Sequence, residues 1–244
     1  MEKFLEKLEK FQVIALSVIL AIGLVWATKI VANSLPSDGI AVTGSASKIV
    51  TSDNGVLTFE IVSKQKTRRI AYDSIQKQIP AVKAYLKTKG FEDKDVELKT
   101  SHGYNTYKVL PNGNTSNEVD YYNLYQPVSV KSNDVNKIKE LSLDITNLMN
   151  KGIDVDVDAP QYYYSKISDL KVELLNDATK DAKQRASAML KATHNRTGKI
   201  QSVKMGVFQI TDSNSTDVSD AGIYNTNSIE KKVTAVANVV FKIK

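Results

Sequence analysis

One uninterrupted apolar run, Phe11 to Ala32, constrains this chain more than any other feature of its 244 residues. From Val13 to Ala27 it carries no charge, and Lys29 lies close enough to the end to snorkel toward headgroups on its apolar stem. At a rise of about 1.5 Å per residue, about 20 residues cross a hydrocarbon core about 30 Å thick, so the run is long enough to span a bilayer once. The expected anchor residues are Phe11, Val13, Ile14, Leu16, Ile19, Leu20, Ile22, Leu24, Val25 and Trp26, with Trp26 near the outer interface, where an indole settles. A cleaved signal peptide is the competing reading. It fits less well, because the core is too long and Ala27-Thr28-Lys29-Ile30-Val31-Ala32-Asn33 offers no clean A-x-A site. Lys3, Lys7 and Lys10 precede the run and only Lys29 follows, so the N-terminus is expected to be cytoplasmic and the body periplasmic or extracellular.

Phe4, Leu5, Leu8 and Phe11 recur at helical spacing ahead of the run, which extends the anchor into the cytoplasm or lays a short amphipathic helix on the inner leaflet. Residues 1–33 are therefore expected to form the amphipathic segment and transmembrane helix, 34–39 a linker, and 40–244 the body. Ser17/Ala21 and Gly23/Ala27 permit close helix approach, as small pairs four apart do.

Composition narrows the body further. The absence of cysteine rules out a disulfide framework, a thiolate nucleophile and a thiolate metal site. The net charge of +6 is interspersed, and runs such as Lys64-Gln65-Lys66-Thr67-Arg68-Arg69 read as solvated faces, so no nucleic-acid partner is expected. No Pro/Gly/Ser linker divides the body, which suggests either one domain or two packed sub-domains, about 40–131 and 132–244.

Hydrophobic patterning gives the elements. Ile40 to Lys48 alternates as a strand, Ser52-Asp53-Asn54-Gly55 is a turn, and Val56 to Lys64 is a second strand closing a hairpin. Ile70 to Lys89 is predicted to be a helix with Ile70, Ile75, Ile79, Val82 and Leu86 inward, kinked at Pro80 and capped at Gly90. Asp95–Val109 and Val119–Lys131 are strands around a polar tip, Pro111-Asn112-Gly113-Asn114. A helix from Val135 to Asn150 and a half-buried strand at Ile153, Val155 and Val157 follow. The longest body helix runs from Ser168 to about Asn195, with Leu174, Ala178, Ala182, Ala186 and Leu190 four apart. Ile200–Ile210 and Lys231–Ile243 are the last strands. The order ββ-α-ββ-α-β-α-ββ argues an α+β fold of antiparallel sheets with helices packed to one side.

Three segments resemble the SIMPL-domain family of exported or membrane-anchored bacterial proteins of poorly defined function. They are Ile40-Ala41-Val42-Thr43-Gly44-Ser45-Ala46, the Ala-rich helix Ala178 to Ala186 with Gly198 beyond it, and the closing strand Lys232 to Phe241. The resemblance covers about residues 38–244 and rests on packing patterns. It implies an α+β body that assembles into hollow, ring- or barrel-like homo-oligomers.

Several constellations could carry chemistry. Ser45-Ala46-Ser47-Lys48, Ser52-Asp53-Asn54 and Arg196-Thr197-Gly198 imitate the S-x-x-K, S-D-N and K-T-G order of penicillin-recognising serine enzymes. That mechanism needs serine and lysine one helical turn apart, whereas on a strand residues three apart face opposite sides. Asp154, Asp156 and Asp158 share one strand face and could attract Ca²⁺, which normally takes six to eight oxygens from a folded loop. Asp212 to Asp217 begins like an EF-hand but has Asp217 where glycine is required and Ile223 where glutamate is required. His102 and His194 have no zinc-ligand spacing. Asn114-Thr115-Ser116, Asn195-Arg196-Thr197 and Asn214-Ser215-Thr216 fit a glycosylation pattern relevant only in a eukaryotic secretory host.

Tyrosine clusters at Tyr104, Tyr107, Tyr121, Tyr122, Tyr125 and Tyr162 to Tyr164. Cross-strand pairing explains such rows, as does a subunit interface, where tyrosine is favoured. The expected interface residues are Tyr121, Tyr122, Tyr162, Tyr163 and Tyr164. No catalytic residue, metal or cofactor is expected. The reading that follows is a membrane-anchored, non-enzymatic, homo-oligomeric scaffold or compartment, whose partners are itself, the bilayer and any enclosed cargo. The alternatives are an envelope ligand-binding module using the Tyr-rich strands and, more remotely, a serine hydrolase.

Overall fold

The computed structural model describes residues 16–30 and 38–244. Residues 16–30 are helical (α1), and Leu16, Ile19, Leu20, Ile22, Leu24, Val25 and Trp26 along it are 58–71% exposed. Phe11, Val13 and Ile14, the amphipathic residues before them and most of the expected linker lie outside the described residues. Among the described residues no helix is long and apolar enough to cross a membrane. The chain forms two compact units: a smaller one with Lys183–Val203, Val239–Lys244 and the chain up to Val42, and a larger one with Thr43–Ala182 and Lys204–Asn238.

The larger unit is organised by a six-stranded sheet. Its strands are β2 (Asn54–Gln65), β3 (Val96–Leu98), β4 (His102–Val109), β5 (Thr115–Ser132), β6 (Val155–Val157) and β7 (Gln161–Tyr163). β5 and β2 form the centre, β3 and β4 add to the outer side of β5, β6 and β7 to the outer side of β2, and every pairing is antiparallel. Strict alternation along β2 buries Leu57, Phe59 and Ile61 on one face, where period 2 puts them together. Helices α2 (Arg68–Thr88) and α3 (Val135–Asp144) cover that face with Ile75, Val82, Leu86, Ile138 and Leu141. Capping fixes where they begin: Thr67 Oγ1 accepts from Ile70 N at 3.2 Å, and Asp134 Oδ1 from Asn136 N at 3.0 Å. The remaining strands are β1 (Gly39–Thr51), β8 (Thr197–Met205), β9 (Gln209–Asp212), β10 (Ile223–Tyr224) and β11 (Glu230–Ile243). They form a second sheet in the order β1-β11-β9-β10 with β8 also on β11; β9–β11 is antiparallel and β9–β10 parallel. Helix α4 (Ile167–Lys191) lies against β1: Gly44 abuts the backbone of Ala178 and Ala182, and Ser45 N donates to Asp181 Oδ2 at 2.9 Å.

The fold is thus α+β with largely antiparallel sheets, and the sequence-based order holds with short strands added. Five local expectations change. β1 and β2 are not a hairpin, because each belongs to a different sheet. The chain crosses over at Ser52 and Asp53, whose N–H groups donate to Ile229 O and Tyr163 O, while the Asp53 carboxylate accepts from Ser165 N and Oγ at 2.8 and 2.6 Å. The expected strand Asp95–Val109 breaks between β3 and β4 beside Pro127, which has no N–H to donate. There Gln126 Nε2 donates to Lys99 O at 2.6 Å and its Oε1 accepts from Ser101 Oγ at 2.7 Å. Ile70 is 51% exposed, and Ala71 takes its inward place. Finally, the helix expected to Asn150 tightens into a 3-10 turn over Ile145–Lys151, and the strand expected over Ile200–Ile210 splits into β8 and β9.

Candidate functional site

The Tyr-rich strands build an arm. β5 pairs with β2 only from Tyr122 to Ser132, so from Thr115 to Tyr121 its partner is β4 alone. A two-stranded ribbon is marginally stable by itself in water. Local bonds brace this one: Lys108–Glu118 at 2.6 Å, Lys66–Asp120 at 2.7 Å, and the Lys66 ammonium 3.7 Å from the Tyr121 ring centre. Gly113, with φ 84°, and Asn112 Oδ1, accepting from Asn114 N, close its tip. Tyr107, Val109 and Leu110 are left 41%, 71% and 44% exposed.

At the arm's base, the sheet face turned away from α2 and α3 carries an aromatic ladder. His102 and Tyr104 each stack on Tyr125, with ring centres 5.4 and 5.8 Å away, and the two phenol oxygens are 3.1 Å apart. His102 Nε2 lies 3.7 Å from Glu60 Oε1, and Asp156 sits opposite Glu60 across β2–β6. The Tyr125 hydroxyl is pushed up from 10.0 to about 12, first by its hydrogen bond with Tyr104, then by burial and by the nearby charges of Tyr104, Glu60 and Asp156. The fold favours the neutral phenol, so this contribution to stability is complete below pH 10.0 and is lost as pH rises toward about 12. Tyr104→Phe is expected to bring the Tyr125 midpoint down, as read by NMR of ring-labelled tyrosine. An unchanged midpoint would remove the hydrogen bond as its cause.

On the opposite face, where α2 begins, a cavity of about 320 Å³ is lined by Arg68, Tyr72, Ser101, Gly103, Asn105 and Tyr122, among others. Gly103 on β4 and Ala71 on α2 also line it. The Arg68 guanidinium donates to Asn105 Oδ1 at 3.5 Å and lies 5.7 Å from the Tyr122 ring centre. Among the described residues no carboxylate is within ion-pair distance of it, so it remains available to an anion.

A family profile described as "SIMPL: Protein of unknown function (DUF541)" matches residues 40–241. The chain belongs to the SIMPL family. No curated protein matches it in sequence.

The SIMPL body disperses the serine-enzyme motifs. Ser45 and Lys48 lie on the extended strand β1, and Lys48 Nζ is 2.8 Å from Glu173 Oε1, which raises its pKa. Ser52 is buried in the sheet crossover, and Asp53 is held by Ser165. Asp154, Asp156 and Asp158 are exposed along β6 and its flanks. Among the described residues no three His, Cys, Asp or Glu side chains gather as a metal group. Of the expected interface tyrosines, Tyr162 is 3% exposed and belongs to the apolar core, so as placed it offers no contact area to another subunit. Tyr163 and Tyr164 are half-buried, with Tyr163 donating to Gln161 Oε1 at 2.7 Å. Tyr121 and Tyr122 are half-buried at the arm's base.

Sequence reasoning missed Glu60, Arg68 and Lys231. Glu60 announced itself as a charge in an apolar alternation, and Arg68 as a cation in a first helical turn, where the dipole favours acids. Lys231 gave no signal. It is 3% exposed, with Nζ donating to Asn225 O and Ser228 O at 2.8 and 2.7 Å, and burial pushes its pKa down.

Proposed function

We propose that this SIMPL protein is a membrane-anchored, non-enzymatic scaffold that works as a homo-oligomer with its body outside the cytoplasm. The observation that carries the reading is the β4–β5 arm, a ribbon that leaves its sheet with Tyr107, Val109 and Leu110 uncovered. Apolar side chains on a ribbon this thin gain by packing on a second surface, and a second copy always supplies the same one. The exposed apolar side chains along α1 and the uncharged run from Val13 to Ala27 support the tether. Tethering many subunits in one membrane patch would hold the assembly by avidity even where each contact is weak.

Full-length protein extracted in mild detergent is expected to be a large, uniform particle by light scattering and imaging. Tyr107→Ser with Val109→Ser should shift it to smaller species while leaving its circular dichroism native. A monomer at micromolar concentration in the unmutated protein would overturn the scaffold. The cavity beside Arg68 favours a second reading, an envelope module that binds a small anionic ligand. Monomers that lose binding of such a ligand on Arg68→Gln would support it.

A further inference from the structure

The body's charge is not evenly laid out. Lys183–Val203 and Val239–Lys244, both in the smaller unit, contain seven lysines and arginines and no acid, an excess as large as the chain's whole net charge of +6. In the larger unit several lysines pair with acids, as in Lys87–Asp93, Lys89–Asp144 and Lys131–Glu97 at 2.7–3.1 Å. Among the described residues, by contrast, none of Lys183, Lys191, Arg196, Lys199, Lys242 and Lys244 has a carboxylate within ion-pair distance, and all six are exposed.

Two local arrangements in this unit act against its own stability. Arg196 and Lys244 exchange both backbone hydrogen bonds, at 2.7 and 2.9 Å, so two like charges stand directly opposite each other. Such pairs are destabilising on neighbouring strands. At the C-terminal end of α4, Lys183, Lys191, His194 and Arg196 line one cleft of about 580 Å³ together with Ser187 and Thr197, whose hydroxyls are 2.8 Å apart. Beside these cations Met189, Ile200 and Val203 are 57%, 50% and 50% exposed. Exposed apolar side chains among unpaired cations suit the interface of an anionic bilayer, where apolar burial and headgroup charge act together.

The path of the chain places this face near the membrane. Ile243 N donates to Asp38 O at 3.1 Å, and Gly39 lies against Gln201, Val240 and Phe241, so the body begins beside β11, the strand that carries Lys242 and also pairs with β8, which carries Lys199. Eight residue steps separate Asp38 from Ile30 on the apolar helix. Fully extended, they reach no more than about 28 Å.

We infer that this basic end of the smaller unit is a docking face for an anionic phospholipid surface, which seats the body on the bilayer that holds its anchor. The inference rests on the membrane-anchored reading above. The chain has no cysteine, so Ser202→Cys gives a single label site on exposed β8 of the full-length protein. The labelled protein is reconstituted in nanodiscs containing a headgroup-quencher lipid, made of phosphatidylglycerol or of phosphatidylcholine. Quenching is expected in the anionic discs at low salt. It should be lost in phosphatidylcholine, at high salt and in Lys191→Glu with Arg196→Glu, whose native circular dichroism excludes a folding defect, and kept in Lys191→Arg. Equal quenching in both lipids, or none in discs that have taken up the protein, would overturn the docking face and leave the anchor standing. Release by millimolar inorganic phosphate at constant ionic strength would overturn it in favour of a soluble-anion cleft. Failure to enter discs of either lipid would overturn the anchor reading itself, and the docking face with it.

Discussion

Gly44→Ala is expected to cost about 3 kcal/mol of stability, the upper part of the usual range for overpacking. A Cβ there would stand 2.8 Å from Ala182 Cα and nearer still to Ala178 O and Ala182 N. Backbone atoms inside a helix cannot rotate aside as a side-chain tip does, so α4 would have to move off β1. That movement would stretch the bond from Ser45 N to Asp181 Oδ2, now 2.9 Å, and open a gap over Ala178 and Ala182, both fully buried. Urea unfolding of the detergent-solubilised protein, followed by circular dichroism, measures the loss. Ser47→Ala, on an exposed position of the same strand, should be nearly silent. A Gly44→Ala loss below about 1 kcal/mol would mean that helix and strand are not as close as described.

The second large effect separates three consecutive tyrosines. Tyr162→Ala is expected to cost about 3 kcal/mol, as truncation of a buried aromatic does. Tyr163→Ala and Tyr164→Ala should each cost about 1 kcal/mol or less. Tyr162 pairs with Gly55 across β7–β2, on the face where Gly55 meets Ile138 of α3, and its ring is part of the core. Tyr163 pairs with Asn54 and turns to the other face. Equal losses at all three positions would contradict the strand assignment of β7. Of these three, only Tyr163 and Tyr164 can report on a subunit contact without also reporting on folding.

Periodicity made the helices legible, and long-range pairing decided what was not. The stripe Leu174, Ala178, Ala182, Ala186 and Leu190 follows from helical spacing alone, and all five are at most 5% exposed. The inward faces of α2 and α3 were equally readable except at Ile70, where the first turn of α2 overhangs the core. Ser52-Asp53-Asn54-Gly55 has the composition of a tight turn, but turn chemistry is local and does not say which strands will pair on either side. A run of three tyrosines hides which one is buried, because nothing within it fixes the register. The cavity was illegible for the same reason: Arg68 and Asn105 are 37 residues apart and meet only once α2 packs on the sheet that contains β4.

The crossover at Ser52 also sets a timetable. β1 is among the first parts of the body to be made, yet its partner β11 starts at Glu230, close to 200 residues later. The neighbouring sheet suffers no such delay: β2, α2, β4, β5 and α3 are contiguous from Asn54 to Asp144, and contacts of short sequence separation form sooner. As the chain emerges, that sheet closes early, while β1 waits as an extended segment with its backbone groups unpaired. An unpaired strand is the part of a nascent chain most open to pairing with the wrong partner. If the proposed anchor holds the chain in the membrane, every waiting copy of β1 would be held at the bilayer. The quality of assembly would then depend on how quickly synthesis reaches β11.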